Sequence, residues 1–271
     1  MTDLGVGVVG SAGRMGCTLV RRVTASEGCR LVAAAEQPSH DALGRDAGEV
    51  AGVGALGVTI ADDSRALFEA AGVVIEFSSP VATVAHAKLA AETGTAHVIG
   101  TTGLDDAQAG EIAAAAANVP IVWAPNMSVG VNILLAITKQ VAGILGDDYD
   151  IEIVEMHHRH KVDSPSGTAL GLGKAAAAGR GVDLDAVAAR GRDGITGARN
   201  AGDIGFAVLR GGDVVGDHTV VFAADGERVE IGHKASSRDV FANGAVRAAL
   251  WTRGRAAGLY GMADVLGLED A

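Results

Sequence analysis

A chain of 271 residues with 48% hydrophobic and 20% charged residues carries enough apolar side chain for more than one core, which excludes wholesale disorder. The 22 basic and 33 acidic residues leave a net charge of −11, which repels nucleic acid, anionic membrane and small polyanions unless positive charge is concentrated locally. Nine aromatics (2 Trp, 2 Tyr, 5 Phe) are too few for a base-stacking surface, whereas 39 glycines are about twice the usual share.

In the first half, short apolar runs alternate with Ala-rich stretches, the pattern of βαβ units around a parallel sheet. Leu4–Val9 reads as a strand, Arg14–Ala25 as a helix and Arg30–Ala35 as the next strand. The Gly-rich stretch 43–60 reads as a loop with a short strand. Strands follow at Val73–Phe77, Ala96–Ile99 and Ile121–Trp123, separated by helices at Val81–Thr93 and Asp105–Asn118. Residues 112–138 carry no charge, but Pro120, Pro125 and Asn126 break the run, so it reads as helix end, strand, loop and buried helix, not as a membrane span.

Beyond Asn132 the order becomes α+β. Ile133–Leu145 is helical, Asp150–His158 alternates like a strand, and Thr168–Ala178 is helical. Strands are expected at Ile204–Leu209, His218–Ala223 and Arg228–Gly232, the last two joined by the hairpin signal Asp225-Gly226. Residues 179–202, rich in Gly and Arg, read as a long mobile connection, and Phe241–Leu268 as a helical tail. Cys17 and Cys29 fit neither a metal spacing nor a disulfide framework, and the N-terminus lacks a charged region followed by an apolar one. A reducing, cytoplasmic setting is the expectation.

Gly10-Ser11-Ala12-Gly13-Arg14-Met15-Gly16 lies at the first strand–helix turn. Glycines there let the backbone approach a pyrophosphate, whose charge meets the helix N-terminus. Glu36, 20 residues past Gly16 at the end of the second strand, is placed to accept ribose hydroxyls. Gln37 and Pro38 follow it, with no Arg there to meet a 2′-phosphate; Arg14 in the loop could partly substitute but equally reads as a solvated helix-start residue, so NADH is favoured and NADPH tolerated. Gly100-Thr101-Thr102-Gly103 and Ala124-Pro125-Asn126-Met127 also follow strands, where open α/β sheets place ligands, although their composition suits ordinary turns equally well.

His157-His158-Arg159-His160-Lys161 concentrates the positive charge that the composition lacks. A solvated basic patch and a zinc site are the alternatives, but adjacent histidines on a strand point to opposite faces, and no Cys lies near. Ser164-Pro165-Ser166-Gly167-Thr168 then opens a helix, where hydroxyls and free N–H groups form an anion site beside Lys161. A carboxylate-bearing substrate follows, with Lys161 or a histidine as proton donor. Arg210 and Arg238 read as salt bridges or loop anchors.

From Val6 to Leu268 the chain resembles the 4-hydroxy-tetrahydrodipicolinate reductase (dihydrodipicolinate reductase) family, most specifically over residues 155–170 and Gly10–Gly16. The resemblance implies a Rossmann-like dinucleotide-binding domain (1–127 and 238–271) and an α+β substrate-binding and tetramerisation domain with a mixed sheet (128–237). It implies an NAD(P)H-dependent reductase of the diaminopimelate and lysine pathway, acting on a cyclic dicarboxylate as a homotetramer. Under it, Gly10, Ser11, Ala12, Gly13, Arg14, Met15 and Glu36 hold the cofactor, while Gly100, Thr101, Thr102, Ala124, Pro125, Asn126 and Met127 line its nicotinamide end. His157 and Lys161 become the catalytic pair, and His158, Lys161, Ser166, Gly167 and Thr168 bind substrate. Gln37 departs from the Arg of many members. A diamino-acid dehydrogenase on the same fold and a non-catalytic NAD(H) sensor are the rival readings.

Overall fold

The structure, a computed structural model, describes residues 2–268; the last three residues of the expected dinucleotide domain lie outside the described residues. The order opens β1 (Leu4–Val9), α1 (Arg14–Ala25), β2 (Cys29–Ala35), α2 (Ala47–Ala51), β3 (Ile60–Ala61), α3 (Ser64–Ala70) and β4 (Val73–Glu76). It continues through α4 (Pro80–Thr93), β5 (Ala96–Ile99), α5 (Asp106–Ala116) and β6 (Pro120–Trp123). Then come α6 (Val129–Leu145), β7 (Asp150–His157), α7 (Gly167–Arg180), α8 (Leu184–Val187), β8 (Ala188–Ala189), β9 (Ile204–Arg210), β10 (Gly216–Ala224) and β11 (Glu227–Ala235). The chain closes with α9 (Asp239–Trp251), β12 (Gly258–Tyr260) and α10 (Met262–Leu266).

Two compact units result. One comprises the chain up to Val129 with Arg238–Gly267, the other Gly130–Ser237. In the first, seven strands run β12-β6-β5-β4-β1-β2-β3, every pair parallel. All four residues of β4 and of β5 are buried, as expected for strands covered on both faces. Val6, Val8 and Ile75 pack with Leu19 and Val23 of α1 and Ala245 and Ala249 of α9. The opposite face, Val9, Val74 and Ile121, packs with Phe68 of α3, Ala87 of α4 and Ile112 of α5.

The second unit is a mixed sheet, order β11-β10-β7-β9-β8, with β7 parallel to β9 and antiparallel to β10. Alternation along β7 buries Ile151 and Ile153 against Leu172 and Ala176 of α7 and Leu134 and Ala142 of α6. The hairpin at Asp225-Gly226 forms, with Gly226 at φ 91°. Helix Val129–Asp148 is long and apolar enough to cross a membrane by length and composition (mean hydropathy 1.6), although Leu134 and Ala142 pack in this core.

Three stretches differ from expectation. Residues 43–60 contain α2, which Asp46 nucleates by accepting the N–H groups of Gly48 and Glu49. Residues 179–202 are not a free connection: they form α8 and β8, and Arg199 binds Asp150 (2.6 Å), Glu152 (2.9 Å) and the Ile151 carbonyl (3.1 Å). The tail is not helical throughout, because β12 joins the sheet edge beside β6, too short to show a period of two. Tyr260 on that strand meets Trp251 edge-on at 5.0 Å, with Arg255 4.1 Å over the indole.

Candidate active site

In the first unit the turn between β1 and α1 is built as a cradle. Gly10 takes φ 67°, Ser11 N–H donates to Ala35 O at 3.1 Å, and Gly13 N–H donates to Gly10 O at 3.1 Å. Gly13 caps α1 with no side-chain hydrogen bond, so the helix's first N–H groups have no capping side chain. Glu36 reaches back over the turn: one carboxylate oxygen accepts Ala12 N–H at 2.9 Å and the other accepts Gln37 N–H at 3.1 Å. Gly10, Gly13, Glu36, Phe77, Ser78 and His86 are among the walls of a cavity of about 500 Å³. The buried Ser11 hydroxyl has no hydrogen-bond partner among the described residues. A cradle bounded by glycine, an orphaned hydroxyl, a helix N-terminus and a ribose-level carboxylate fit the phosphates and ribose of a dinucleotide.

The second unit centres on Glu155, an acid only 1% exposed near the end of β7. His157 Nδ1 lies 2.6 Å from one of its oxygens. Arg210 spans both, at 2.7 and 3.0 Å, and Ser166 N–H donates at 2.9 Å. Burial alone would raise the Glu155 pKa, but Arg210, His157 and the Ser166 amide hold the carboxyl below its usual range. Burial likewise pushes His157 below the ordinary imidazole value, against the pull of Glu155. With Glu155 ionised, a neutral His157 carries its proton on Nδ1 and keeps Nε2 as the free base.

Ser166 caps α7 by accepting Ala169 N–H at 3.1 Å, and its hydroxyl meets His218 Nε2 at 3.0 Å. His218 is pushed down to about 4, chiefly by burial, so it is neutral near pH 7. Lys161 lies on the turn after β7, its Nζ 2.9 Å from the Asp163 carboxylate, and holds that carboxyl below its usual range against the effect of burial. Arg210 holds that turn too, donating to Asp163 O at 2.7 Å. The His158 Nδ1 is buried without a hydrogen-bond partner among the described residues.

The second unit thus brings His157, Lys161, Ser166 and Gly167 around one corner, with Thr168 in the first turn of α7. In the first unit the side chains of Thr101 (3% exposed) and Met127 (fully buried) point into the protein, Met127 within the core. At both positions the backbone is buried too, and the Thr101 carbonyl accepts the Trp123 indole N–H at 3.3 Å. Arg14 and Pro125 are exposed, and Asn126 accepts Ser128 N–H at 2.9 Å. Glu155 and its partner role for Arg210 went unrecognised in the sequence reading, as did His218. The signal was present: in the run Ile151, Ile153, Glu155, His157, two ionisable residues share the inward face of an alternating strand.

The family model "Dihydrodipicolinate reductase, N-terminus" matches residues 4–127 and "Dihydrodipicolinate reductase, C-terminus" matches 130–266. The chain is 56% identical over 271 residues to the 4-hydroxy-tetrahydrodipicolinate reductase of Rhodopseudomonas palustris (strain BisA53), covering 100% of this chain and 99% of the relative. It is 57% identical over 264 residues to that of Ruegeria pomeroyi, covering 97% and 98%. Among solved structures, a dipicolinate-bound dihydrodipicolinate reductase from Paenisporosarcina sp. TG-14 superposes with a TM-score of 0.77 at 24% identity, over 96% of this chain and 98% of that one, a likeness of fold.

Proposed function

Because the chain belongs to the dihydrodipicolinate reductase family, we propose that it reduces 4-hydroxy-tetrahydrodipicolinate to tetrahydrodipicolinate with a nicotinamide dinucleotide, in diaminopimelate and lysine biosynthesis. The observation that carries the reading is that the Lys161 ammonium already holds a carboxylate, that of Asp163 at 2.9 Å, on the turn that leads into the N-terminal amides of α7. Asp163 stands in for a substrate carboxylate, which must displace it. Both kinds of donor lie beside His157, so an anionic ring held there lies against a base and an ammonium.

In the dinucleotide unit, residues 10–15 cradle the phosphates, Glu36 takes the ribose hydroxyls, and the segments 100–102 and 124–127 form the nicotinamide end. When bound, the dinucleotide would supply a hydride to ring C4 once the C4 hydroxyl and a proton from the neighbouring carbon have left as water, which places a carbon–carbon double bond in conjugation with the ring imine. The electron pair passed into the conjugated imine is stabilised by Lys161 and the α7 N-terminus, with His158 and the Thr168 amide adding donors. Lys161 delivers the proton to the carbon next to C4, and His157 orients the ring through Nε2. Lys161→Ala lowers kcat by about 10²–10⁴-fold, the scale of lost general acid catalysis. An unchanged kcat removes Lys161 from the mechanism. The whole reading is tested by following loss of the reduced-nicotinamide absorbance in the presence of freshly generated synthase product. No loss with either dinucleotide overturns it.

For cofactor preference the argument is electrostatic. Glu36 and Asp62 both line the cavity with Gln37, its lining among the described residues includes no Lys or Arg, and two carboxylates there oppose a 2′-phosphate. NADH is therefore the preferred reductant and NADPH the tolerated one. Gln37→Arg shifts the ratio of kcat/KM values toward NADPH by about tenfold, the value of one charge-assisted phosphate contact. An unmoved ratio means that position 37 does not face the phosphate.

The face of the second sheet turned away from α6 and α7 carries Val154, Met156, Ala207, Leu209 and Val221, with Leu209 52% exposed. This apolar face is the surface through which a homotetramer assembles. A cytoplasmic setting accompanies the biosynthetic role.

A further inference from the structure

The dinucleotide-binding unit contains a buried acid that the chemistry above does not use. Glu76, the last residue of β4, is 0% exposed. One of its oxygens lies 2.8 Å from His97 Nε2. The other meets His86 Nδ1 at 3.0 Å, Thr83 Oγ1 at 3.2 Å and the Ser78 hydroxyl. Of the two imidazoles only His86 has hydrogen-bond geometry to the carboxylate among the described residues; donating through Nδ1, it keeps Nε2 to accept from Ser64 Oγ at 3.2 Å. Burial opposes the charge, but the two histidines outweigh it and hold the carboxyl well below the usual range. An ionised carboxylate out of water is costly, and a hydrocarbon of equal volume would serve packing better, so three hydrogen-bond donors and a second imidazole around it call for a role other than filling space.

The hydroxyl chain shows where that role is exercised. Thr83 Oγ1 donates to Thr101 Oγ1 at 2.8 Å and stands 3.2 Å from the Glu76 carboxylate, so its single proton is shared between the two acceptors. Thr101 Oγ1 in turn accepts Ser78 N–H at 3.0 Å. The main chain repeats the link, since Gly100 N–H donates to Glu76 O at 2.9 Å. A Cβ at Gly100 would stand 2.2 Å from the Phe77 ring. Two loops at adjacent strand ends, 77–79 and 100–102, are thereby locked to one buried carboxylate. Phe77, Ser78 and Ser79 line the 500 Å³ cavity.

We propose that Glu76, acting through Thr83 and Thr101, is a positioning residue for the dinucleotide: it fixes the 77–79 loop, one wall of the cofactor cavity, against the neighbouring 100–102 loop. The proposal rests on the reading of that cavity as the dinucleotide site. Every link lies outside the residues that touch substrate, so the effect falls on cofactor binding and spares the dicarboxylate. Thr83 is the cleaner place to cut the chain, since valine keeps its shape and removes only the hydroxyl.

The test is titration of NADH fluorescence against the parent, Thr83→Val, Thr83→Ser and Glu76→Gln, with KM measured for both substrates and folding followed by circular dichroism and thermal melting. Thr83→Val should raise the NADH Kd about tenfold, the loss of a buried hydrogen-bonded link, and KM for NADH in parallel. KM for the dicarboxylate should stay within about twofold, Thr83→Ser should restore the parent Kd, and a folded Glu76→Gln should bind NADH more weakly than Thr83→Val. A Thr83→Val protein that binds NADH as the parent does overturns the proposal, and so does an equal loss in Thr83→Ser. If the parent binds neither NADH nor NADPH, the cavity reading falls and takes the proposal with it. A parent that binds while Thr83→Val is unchanged removes the proposal alone.

Discussion

Glu155→Gln is expected to lower kcat by about 10²-fold or more while changing the dinucleotide Kd by less than about twofold. The substitution keeps the shape of the side chain, so the loss comes from hydrogen-bond logic. A carboxylate accepts from His157, from both Arg210 nitrogens and from the Ser166 amide. An amide has one acceptor oxygen, and its NH₂ would face donors. His157 would be free to place its proton on Nε2, the wrong tautomer for the reacting ring, and Arg210 would lose its bidentate anchor. The damage then spreads along the turn, because Arg210 also holds Asp163 O and so the position of Lys161. Breaking a buried charge pair costs about 3–5 kcal/mol; Arg210 retains some solvent contact, which places the effect at the lower end.

The same substitution carries a pH signature. The Glu155 carboxyl titrates below its ordinary 4.5 in the fold, so its stabilising contribution is complete above that value and is lost as pH falls through the depressed one. Thermal melting of the parent should therefore drop in acid more steeply than that of Glu155→Gln. Parallel melting curves across that range, or a kcat within about threefold of the parent, would show that Glu155 does not organise the site.

What the sequence disclosed of this site follows from what is local. The loop with Gly10, Gly13 and Gly16, and Ser166 at the start of α7, are short-range patterns with a direct backbone meaning, and the structure places both where their spacing implies. The two-layer logic of the first unit was equally legible, since β4 and β5, Glu76 and His97 apart, are apolar and buried on both faces. Arg210 could not be paired with Glu155 from spacing, because 55 residues separate them and the pairing of β7 with β9 brings them together. Helix α3 escaped notice because only Leu67 and Phe68 are buried in its seven residues, too few to show a helical period. Glu76 escaped for the opposite reason: it ends a wholly buried strand, and its partners come from α4 and the neighbouring β5.

Gly16→Ala should abolish measurable dinucleotide binding, raising Kd by about 10²-fold or more, while leaving the second unit's site chemically intact. A Cβ at Gly16 would stand 1.9 Å from Gly10 O and 2.6 Å from the Ser11 Cα. Both are backbone atoms, so no rotamer change relieves the clash and the phosphate cradle itself must move. The Gly10 carbonyl also accepts the Gly13 N–H, and its displacement breaks the hydrogen bond that shapes the turn. The Ser11 and Ala12 amides follow, and with them the hold on Glu36. Gly110→Ala is the matched control: it too lies in a helix, but a Cβ there meets nothing within 4 Å. Losing a flexible residue from an exposed helix position should stabilise that protein by about 0.5–1 kcal/mol without touching cofactor affinity. Equal NADH affinity in Gly16→Ala and Gly110→Ala, measured by fluorescence titration on folded protein, would show that the turn does not carry the phosphates. Loss confined to Gly16→Ala would place them there, because the two substitutions differ only in what the added methyl group strikes.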